Sequence, residues 1–402
     1  MTGYANLPDL ISALGGQVIR NTTRWVFNSA GVLVPVAPNQ IAFDHDPVTL
    51  ARRGIPFEPA RTNFVRRSDP TSAVPGTPGT LPTGWNTTGG AGLSRQIVGV
   101  GTTLGLPWVD VRLFGTTENN SGIQIAFEAN TQISASVGAT WTASFFAAIA
   151  GGSLANINNV NAQINERNTD GSAGASTTTS LLGGLDATMR RFSTSRQITN
   201  GPHAVPRLTF GYDAGAAIDV TVRLALPQFT PGAFVTSPIV TTGTALTRDA
   251  DILVLPLGAW HRLEEYLLFA RLTPIANVAD GLLMQIWDGA SFTTGGGIRL
   301  RQGSTPTATA VDQRGAGGVD RGTLVTGNAA AGVLRRIAYR RSAAGAARLV
   351  TSSGAAVTGT GVDASPAVSQ LRIGGGQAAF HLRGLRFEPV IPTDAAMDAL
   401  VA

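Results

Sequence analysis

The chain of 402 residues contains no cysteine. That excludes a disulfide framework, a thiolate metal site and a cysteine nucleophile. It also contains no lysine, so all 30 basic residues are arginine, set against 25 acids for a net charge of +5. A high isoelectric point built on arginine alone is a weak signal for nucleic acid, and no nucleic-acid partner is expected. Charge is sparse, at 14% of residues. No window approaches the roughly 18 apolar residues of a membrane helix, so no membrane insertion is expected. The first residues, MTGYANLPDLISALGG, carry neither a basic n-region nor a long apolar run, and no signal peptide is expected. Only four histidines occur, His45, His203, His261 and His381, and none sits in HExxH or an i,i+4 pair. There is no GxSxG. The glycine-rich GGGIRLRQG lacks the Lys-Ser/Thr and following helix of a phosphate loop. Glycosidases need two carboxylates about 5–10 Å apart. The candidates, Glu118 with Glu128 and Glu264 with Glu265, read as solvated or ion-paired acids. The expectation is a non-enzyme with no metal and no cofactor.

What is present is glycine, proline and small apolar residues: 49 Gly, 22 Pro and a 43% hydrophobic fraction rich in Ala and Val. That composition suits a turn-rich β protein with thin cores. Residues 1–62 read as a small N-terminal segment: a short helix through Leu7, Leu10 and Ile11, a hairpin around Trp25 and Phe27, and an extended connector. Pro56 and Pro59 bar a helix there. Asp44-His45-Asp46 reads as a hydrogen-bonded turn. Residues 63–245 alternate with period two over eight stretches, including Trp108–Leu113, Trp141–Ile149, Ala162–Arg167 and Ala204–Tyr212. Residues 246–402 show nine more and end in a short helix capped by Thr393. The fold class is all-β: two jelly-roll or β-sandwich domains in tandem after the N-terminal segment.

Two stretches carry a resemblance. RWVFNSAGVLVPVAPNQIAFDHDPVT…GIPFEPARTN and LPQFTPGAFVTSPIVTTGTALTRDADI resemble segments of tailed-bacteriophage and gene-transfer-agent fibre or spike proteins. The close of the chain, SQLRIGGGQAAFHLRGLRFEP, resembles the end of concanavalin-A- or laminin-G-like lectin sandwiches. The resemblance implies a carbohydrate-binding-module-like sandwich at 63–245 and a lectin-like one at 246–402. It implies a virion protein, a tail fibre or head fibre made in the host cytoplasm. Its partners would be capsid, portal or baseplate proteins and a host surface polysaccharide, and it would form a trimer or pentamer. Leu7, Leu10, Ile11, Trp25 and Phe27 are then the candidate virion-anchoring residues.

Sugar C–H faces stack on aromatic rings. Trp85 and Trp260 lie beside Gly/Pro-rich loops and Trp108 opens a strand after a proline, so these three are the candidate glycan-binding residues. Trp141 and Trp287 sit inside apolar strands and read as core. The Asn156–Asn159 strip and the Thr/Ser-rich loop 172–180 are able to donate to hydroxyls, or are plain polar surface. Four arginine pairs, at 66–67, 190–191, 335–336 and 340–341, offer bidentate donors to an acidic polysaccharide or are solvated. Two other functions fit the same sequence: a capsule-degrading glycan hydrolase, which releases sugar, and a passive capsid decoration, which binds none.

Overall fold

A computed structural model describes residues 11–12, 14–257, 265–287, 292–342, 344–359, 368–388 and 392–402. The expected positions Leu7, Leu10, Trp260, His261 and Glu264 lie outside them. The strands in chain order are β1 (Gln17–Ile19), β2 (Arg24–Phe27), β3 (Leu33–Val36), β4 (Asp44–His45), β5 (Arg52–Phe57), β6 (Arg61–Asn63), β7 (Asn86–Gly89), β8 (Leu93–Thr103), β9 (Leu106–Thr116) and β10 (Ile123–Ala126). They continue with β11 (Thr140–Gly152), β12 (Ile157–Arg167), β13 (Ala173–Ser180), β14 (Arg190–Gln197), β15 (His203–Tyr212), β16 (Ala217–Pro231), β17 (Leu246–Arg248), β18 (Ile252–Pro256), β19 (Tyr266–Pro274) and β20 (Leu282–Trp287). The last are β21 (Gly297–Gln302), β22 (Thr309–Arg314), β23 (Asp320–Thr326), β24 (Arg335–Arg341), β25 (Ala347–Thr351), β26 (Gly354–Gly359), β27 (Gln370–Gly374) and β28 (Phe380–Glu388). The helices are the single turn α1 (Phe292–Gly295) and α2 (Asp394–Val401). The fold is all-β, as the alternation predicts.

The chain divides into two units, one of residues 1–31, 35–60 and 249–402, the other of residues 32–34 and 61–248. The second is inserted in sequence between β5 and β18 of the first. The inserted unit is a sandwich of two five-stranded antiparallel sheets, β13-β12-β15-β10-β7 and β14-β11-β16-β9-β8. Alternate residues of both sheets fill one core, among them Val109, Val111, Ile125, Phe145, Val160, Ile164, Leu208 and Val222. Trp141 stacks on Phe229 at 4.7 Å between ring centroids, and Phe127 bridges Trp85 and Phe145 at 4.8 and 5.1 Å. β6 pairs with β17, so the entry and exit of this unit run side by side. At the tip of the β8–β9 hairpin, Leu104 and Gly105 both take positive φ, 50° and 73°. The tip carbonyl of Leu104 accepts the Leu33 amide at 2.8 Å. A Cβ on Gly105 would lie 2.0 Å from the Leu33 carbonyl oxygen, so only glycine fits there.

The split unit has two seven-stranded antiparallel sheets, β1-β18-β27-β20-β21-β22-β23 and β26-β25-β24-β19-β28-β5-β4. Their inner faces meet over Leu253, Leu268, Leu272, Ile286, Leu300, Val311, Leu349, Ile373 and Phe380. Helix α2, whose Thr393 cap accepts the Ala396 amide, covers the outside of the second sheet by packing Met397 and Val401 on Leu267, Ala338 and Val350.

This topology corrects the expected N-terminal segment. Residues 1–62 do not form a separate element. β1 pairs with β18, and β5 pairs with β28, which places Ile55 and Phe57 in the core. Ile11 is 3% exposed in that core and Phe27 is 6% exposed, so neither presents a docking surface, while Trp25 is half-buried. Of the expected docking residues, Ile11 packs in this chain's own core and Phe27 is buried. Likewise the units divide at 61 and 248, against expected limits of 63 and 245.

A buried ionic cluster holds the split unit's three chain stretches together. Arg24, fully buried, bonds Asp251 and lies 3.0 Å from Glu58, and Arg20 reaches Asp251 at 3.2 Å. Burial disfavours the charged guanidinium of Arg24, but Asp251 and Glu58 outweigh it and raise its pKa. Deleting the Asp251 carboxylate would leave Arg20 without its carboxylate partner and the fully buried Arg24 with Glu58 alone. Asp251→Ala is therefore expected to destabilise the split unit by about 3–5 kcal/mol in urea unfolding of the full chain. A loss under about 1 kcal/mol would show that the cluster is not sealed from water.

Candidate glycan-binding face

The alternation that fills the inserted unit's core with apolar side chains sends every second residue outwards. On the sheet β13-β12-β15-β10-β7 the outward residues fall into rows set by the register. One row runs Ser180, Asn161, Thr209, Gln124 and Thr88 across all five strands. The next runs Thr178, Gln163, Arg207, Ala126 and Asn86. The third begins Ser176, Asn165 and Val205. These rows hold amides, hydroxyls, one cation and the small apolar Ala126 and Val205, with no carboxylate or aromatic ring.

Arg207 is 3% exposed and is held in place by neutral acceptors: it donates to Gln124 Oε1 and, at 2.8 Å, to Asn130 Oδ1. Asn130 in turn donates to the Gly171 carbonyl at 3.4 Å, which brings two loops together at one end of the face. Ser134 bridges to His203 at the same end. This wall buries Asn165 to 7% exposure and Val205 fully, although both point away from the core. Gln163 Oε1 and Asn165 Oδ1 are buried and have no hydrogen-bond partner among the described residues. An unmet buried acceptor costs about 1–3 kcal/mol. Two of them side by side on an outward face ask for a donor from outside the chain.

Glu166 fixes the end of this face from below. It is fully buried at the end of β12 and accepts the amides of Thr199, Asn200 and Gly201 at 2.7–2.9 Å as well as Arg196 Nε at 2.6 Å. Burial raises its pKa, but the three amides and Arg196 outweigh that and hold it at about 2, against an ordinary 4.5.

The three expected tryptophans are not brought together. Trp85 is core: it is 6% exposed, its ring packs on Phe127, and its Nε1 donates to the Arg67 carbonyl at 2.9 Å. The Gly/Pro-rich loop that made it look exposed folds over the end of the sandwich instead. Trp108 is half-buried on the outer face of the other sheet, where the Arg223 guanidinium stacks 3.6 Å from its centroid and Nε1 bonds Thr103. Arg223 is itself clamped by both oxygens of Asp110 at 2.8 Å, so a protein cation occupies one face of that ring. Trp141 and Trp287 are core, at 4% and 6% exposure.

The sequence signal that does lead to the face is the Asn156–Asn159 strip and the Thr/Ser stretch 172–180. The structure places the strip at the start of β12, where Ile157 and Asn159 pair with β15, and makes the Thr/Ser stretch strand β13, which pairs with β12 from Asn161 to Arg167. Arg207 was not singled out, because its role depends on a register that no local pattern reveals. Among the arginine pairs, Arg66 serves Glu128, which is fully buried, Arg335 is 1% exposed, and Arg340 binds Asp394. Glu128 is thereby committed to an ion pair, while Glu118 is exposed. The Asp44-His45-Asp46 turn is hydrogen-bonded: His45 Nδ1 meets the Phe27 carbonyl, and Asp46 accepts the amides of Val48 and Thr49.

No family model and no curated protein matches the chain. Among solved structures it is similar to the N-terminal CBM22-1–CBM22-2 tandem domain of Xyn10C from Paenibacillus barcinonensis. The identity is 9%, the match covers 81% of this chain and 99% of that one, and the TM-score is 0.24. A TM-score of that size carries no functional assignment.

The depressed pKa of Glu166 makes a testable statement about pH. Its folded value lies below its unfolded one, so its contribution is complete above about pH 4.5 and is lost as pH falls towards 2. The shift corresponds to about 3 kcal/mol. Thermal midpoints of the inserted unit, followed from pH 7 down to about pH 2, should fall through this window. Glu166→Gln should be less stable at neutral pH and show a flatter decline. Parallel curves for the two proteins would contradict the assignment.

Proposed function

We propose that the chain is a non-catalytic appendage protein of a tailed-phage-like particle, and that it holds a neutral glycan on the amide face of its inserted unit. One observation carries the binding part: the buried, unpartnered oxygens of Gln163 and Asn165, set beside the neutral-bonded Arg207 on a face of amides and hydroxyls. Sugar hydroxyls supply donors and acceptors at the spacing of such side chains. The lack of carboxylates on the face suits a ligand without cations. The two segments resembling phage fibre and spike proteins support the virion role, and location in the virion follows from that role.

Affinity in this arrangement comes from hydrogen bonds without an aromatic platform, so it is weak per site. A dissociation constant of about 0.1–1 mM corresponds to about 4–5.5 kcal/mol. A closed homo-oligomer, trimer or pentamer, would raise it by avidity alone.

Glycan-array and whole-cell binding test this. Asn165→Ala and Gln163→Ala should each weaken binding about fivefold to tenfold. Their melting temperatures should stay near that of the parent, because the amide oxygens removed have no partner among the described residues. Trp85→Ala should instead unfold the unit, at a cost of about 3–5 kcal/mol. Unchanged binding by Asn165→Ala would remove the face from consideration. Oligosaccharide released from a bound polysaccharide would favour a hydrolase.

A further inference from the structure

The split unit carries a second outward row of a different chemistry. Across its sheet β1-β18-β27-β20-β21-β22-β23 the register aligns Gln17, Val254, Arg372, Gln285, Arg299, Asp312 and Thr323. All alternate with core residues, since Leu371, Ile373, Met284, Ile286, Ile298 and Leu300 point inwards. Two guanidinium groups therefore flank one amide, two strands apart, or roughly 10 Å between their backbones.

The charges along this row are not mutually satisfied. Asp312, the one acid in it, gives both oxygens to Arg301 at 2.7 and 2.8 Å. Arg301 also pairs with Asp280 at 2.5 Å, and Arg314 faces Asp320 at 4.0 Å. Arg299 and Arg372 make no ion pair among the described residues, although the Asp312 carboxylate across the strand acts on Arg299 from beyond bonding distance. Arg299 lies with its guanidinium 4.2 Å from the Phe292 centroid, held flat by a ring that is itself buried. Arg372 has only the Gly375 carbonyl, at 3.4 Å. The Nε atoms of both are buried without a partner. Between them Gln285 is 7% exposed and has no hydrogen-bond partner among the described residues. Burial lowers the pKa of both arginines, yet a guanidinium stays charged at any ordinary pH. These are partly dehydrated cations in need of an anion.

We infer that the Arg372–Gln285–Arg299 row is a binding site for the carboxylate of an acidic sugar. The two planar forks present bidentate geometry to a carboxylate, and the amide between them serves an adjacent hydroxyl. A carboxylate and a hydroxyl on one small ring are the features of a hexuronate. Nucleic acid fits less well, because its affinity rests on neutralising many phosphates in succession, and this row offers two cations with the Asp312 carboxylate next to them. The site lies on the other unit from the amide face and does not depend on it.

The test is calorimetric titration of the full chain with a hexuronate oligosaccharide, the matched neutral oligosaccharide and a short single-stranded oligonucleotide. The hexuronate should bind about tenfold or more tightly than the neutral sugar. Arg299→Ala and Arg372→Ala should each lose about tenfold for the hexuronate alone. Arg299→Gln, which keeps a stem on Phe292, gives the same loss if the alanine variant folds poorly. Asn165→Ala should leave hexuronate binding unchanged, which separates this site from the amide face. Equal binding of charged and neutral sugars, undiminished binding by the arginine variants, or preference for the oligonucleotide would each overturn the inference.

Discussion

One carboxylate, that of Asp251, sets the frame for the split unit. It accepts from Arg20, Arg24 and the Glu58 amide, while its own amide donates to the Glu58 carbonyl at 3.0 Å. The residues 58 and 251 are 193 apart in sequence. A chain that leaves a fold and returns after so long an excursion must close a large loop, and the entropic cost of doing so grows slowly with its length. Two bonds between Glu58 and Asp251, one from the Asp251 amide to the Glu58 carbonyl and one from the Glu58 amide to the Asp251 carboxylate, close it at its neck. β6 and β17, just inside, continue the closure within the inserted unit. Removing four ionisable groups from water costs several kcal/mol per ion, so the cluster is weak evidence of net stability. What it supplies is specificity: two cations and two anions satisfy each other only when residues 20–24, 58 and 251 arrive together.

The same alternation that builds each core determines what each unit shows on its outside. In the inserted unit the two rows that cross β13, β12 and β15 are Ser180, Asn161 and Thr209, then Thr178, Gln163 and Arg207. In the split unit the row across β27, β20 and β21 is Arg372, Gln285 and Arg299. Sandwich cores of Val, Leu and Ile are interchangeable in chemistry, so the difference between the units lies wholly in these rows. An amide acceptor left unmet and a guanidinium left unpaired are costly for the same reason, the loss of water without a replacement. They ask for opposite partners, a hydroxyl donor in one case and an anion in the other.

The strands that carry apolar alternation were legible from sequence, since burial enforces a period of two. β13 was not: Ala173–Ser180 is AGASTTTS, an edge strand of small polar residues with almost no buried positions, and it reads as a loop. β26 at Gly354–Gly359 escapes for the same reason. The N-terminal segment was misplaced because β1 and β5 are strands of 3 and 6 residues whose partners β18 and β28 lie hundreds of residues away, and no local pattern encodes a long-range pairing. Trp85 was misjudged because its glycine and proline neighbours describe the loop's backbone and say nothing of where the indole goes. Thr393 was read correctly as a helix cap, a signal that is complete within three residues.

The absence of lysine bears on all of this. A flexible ammonium is strongly hydrated and resists burial, whereas a guanidinium offers five donors in a fixed plane and stacks on rings. This chain exploits the difference: Arg20, Arg24, Arg248 and Arg335 are among its largest fully buried side chains. Arg66, Arg196, Arg223 and Arg301 each close on a carboxylate within the fold. Net charge therefore says little about partners here, because much of the arginine is structural. A cation becomes informative only when its register places it outwards and no acid bonds it, and that condition selects Arg299 and Arg372 in one unit and Arg207, answered by amides alone, in the other.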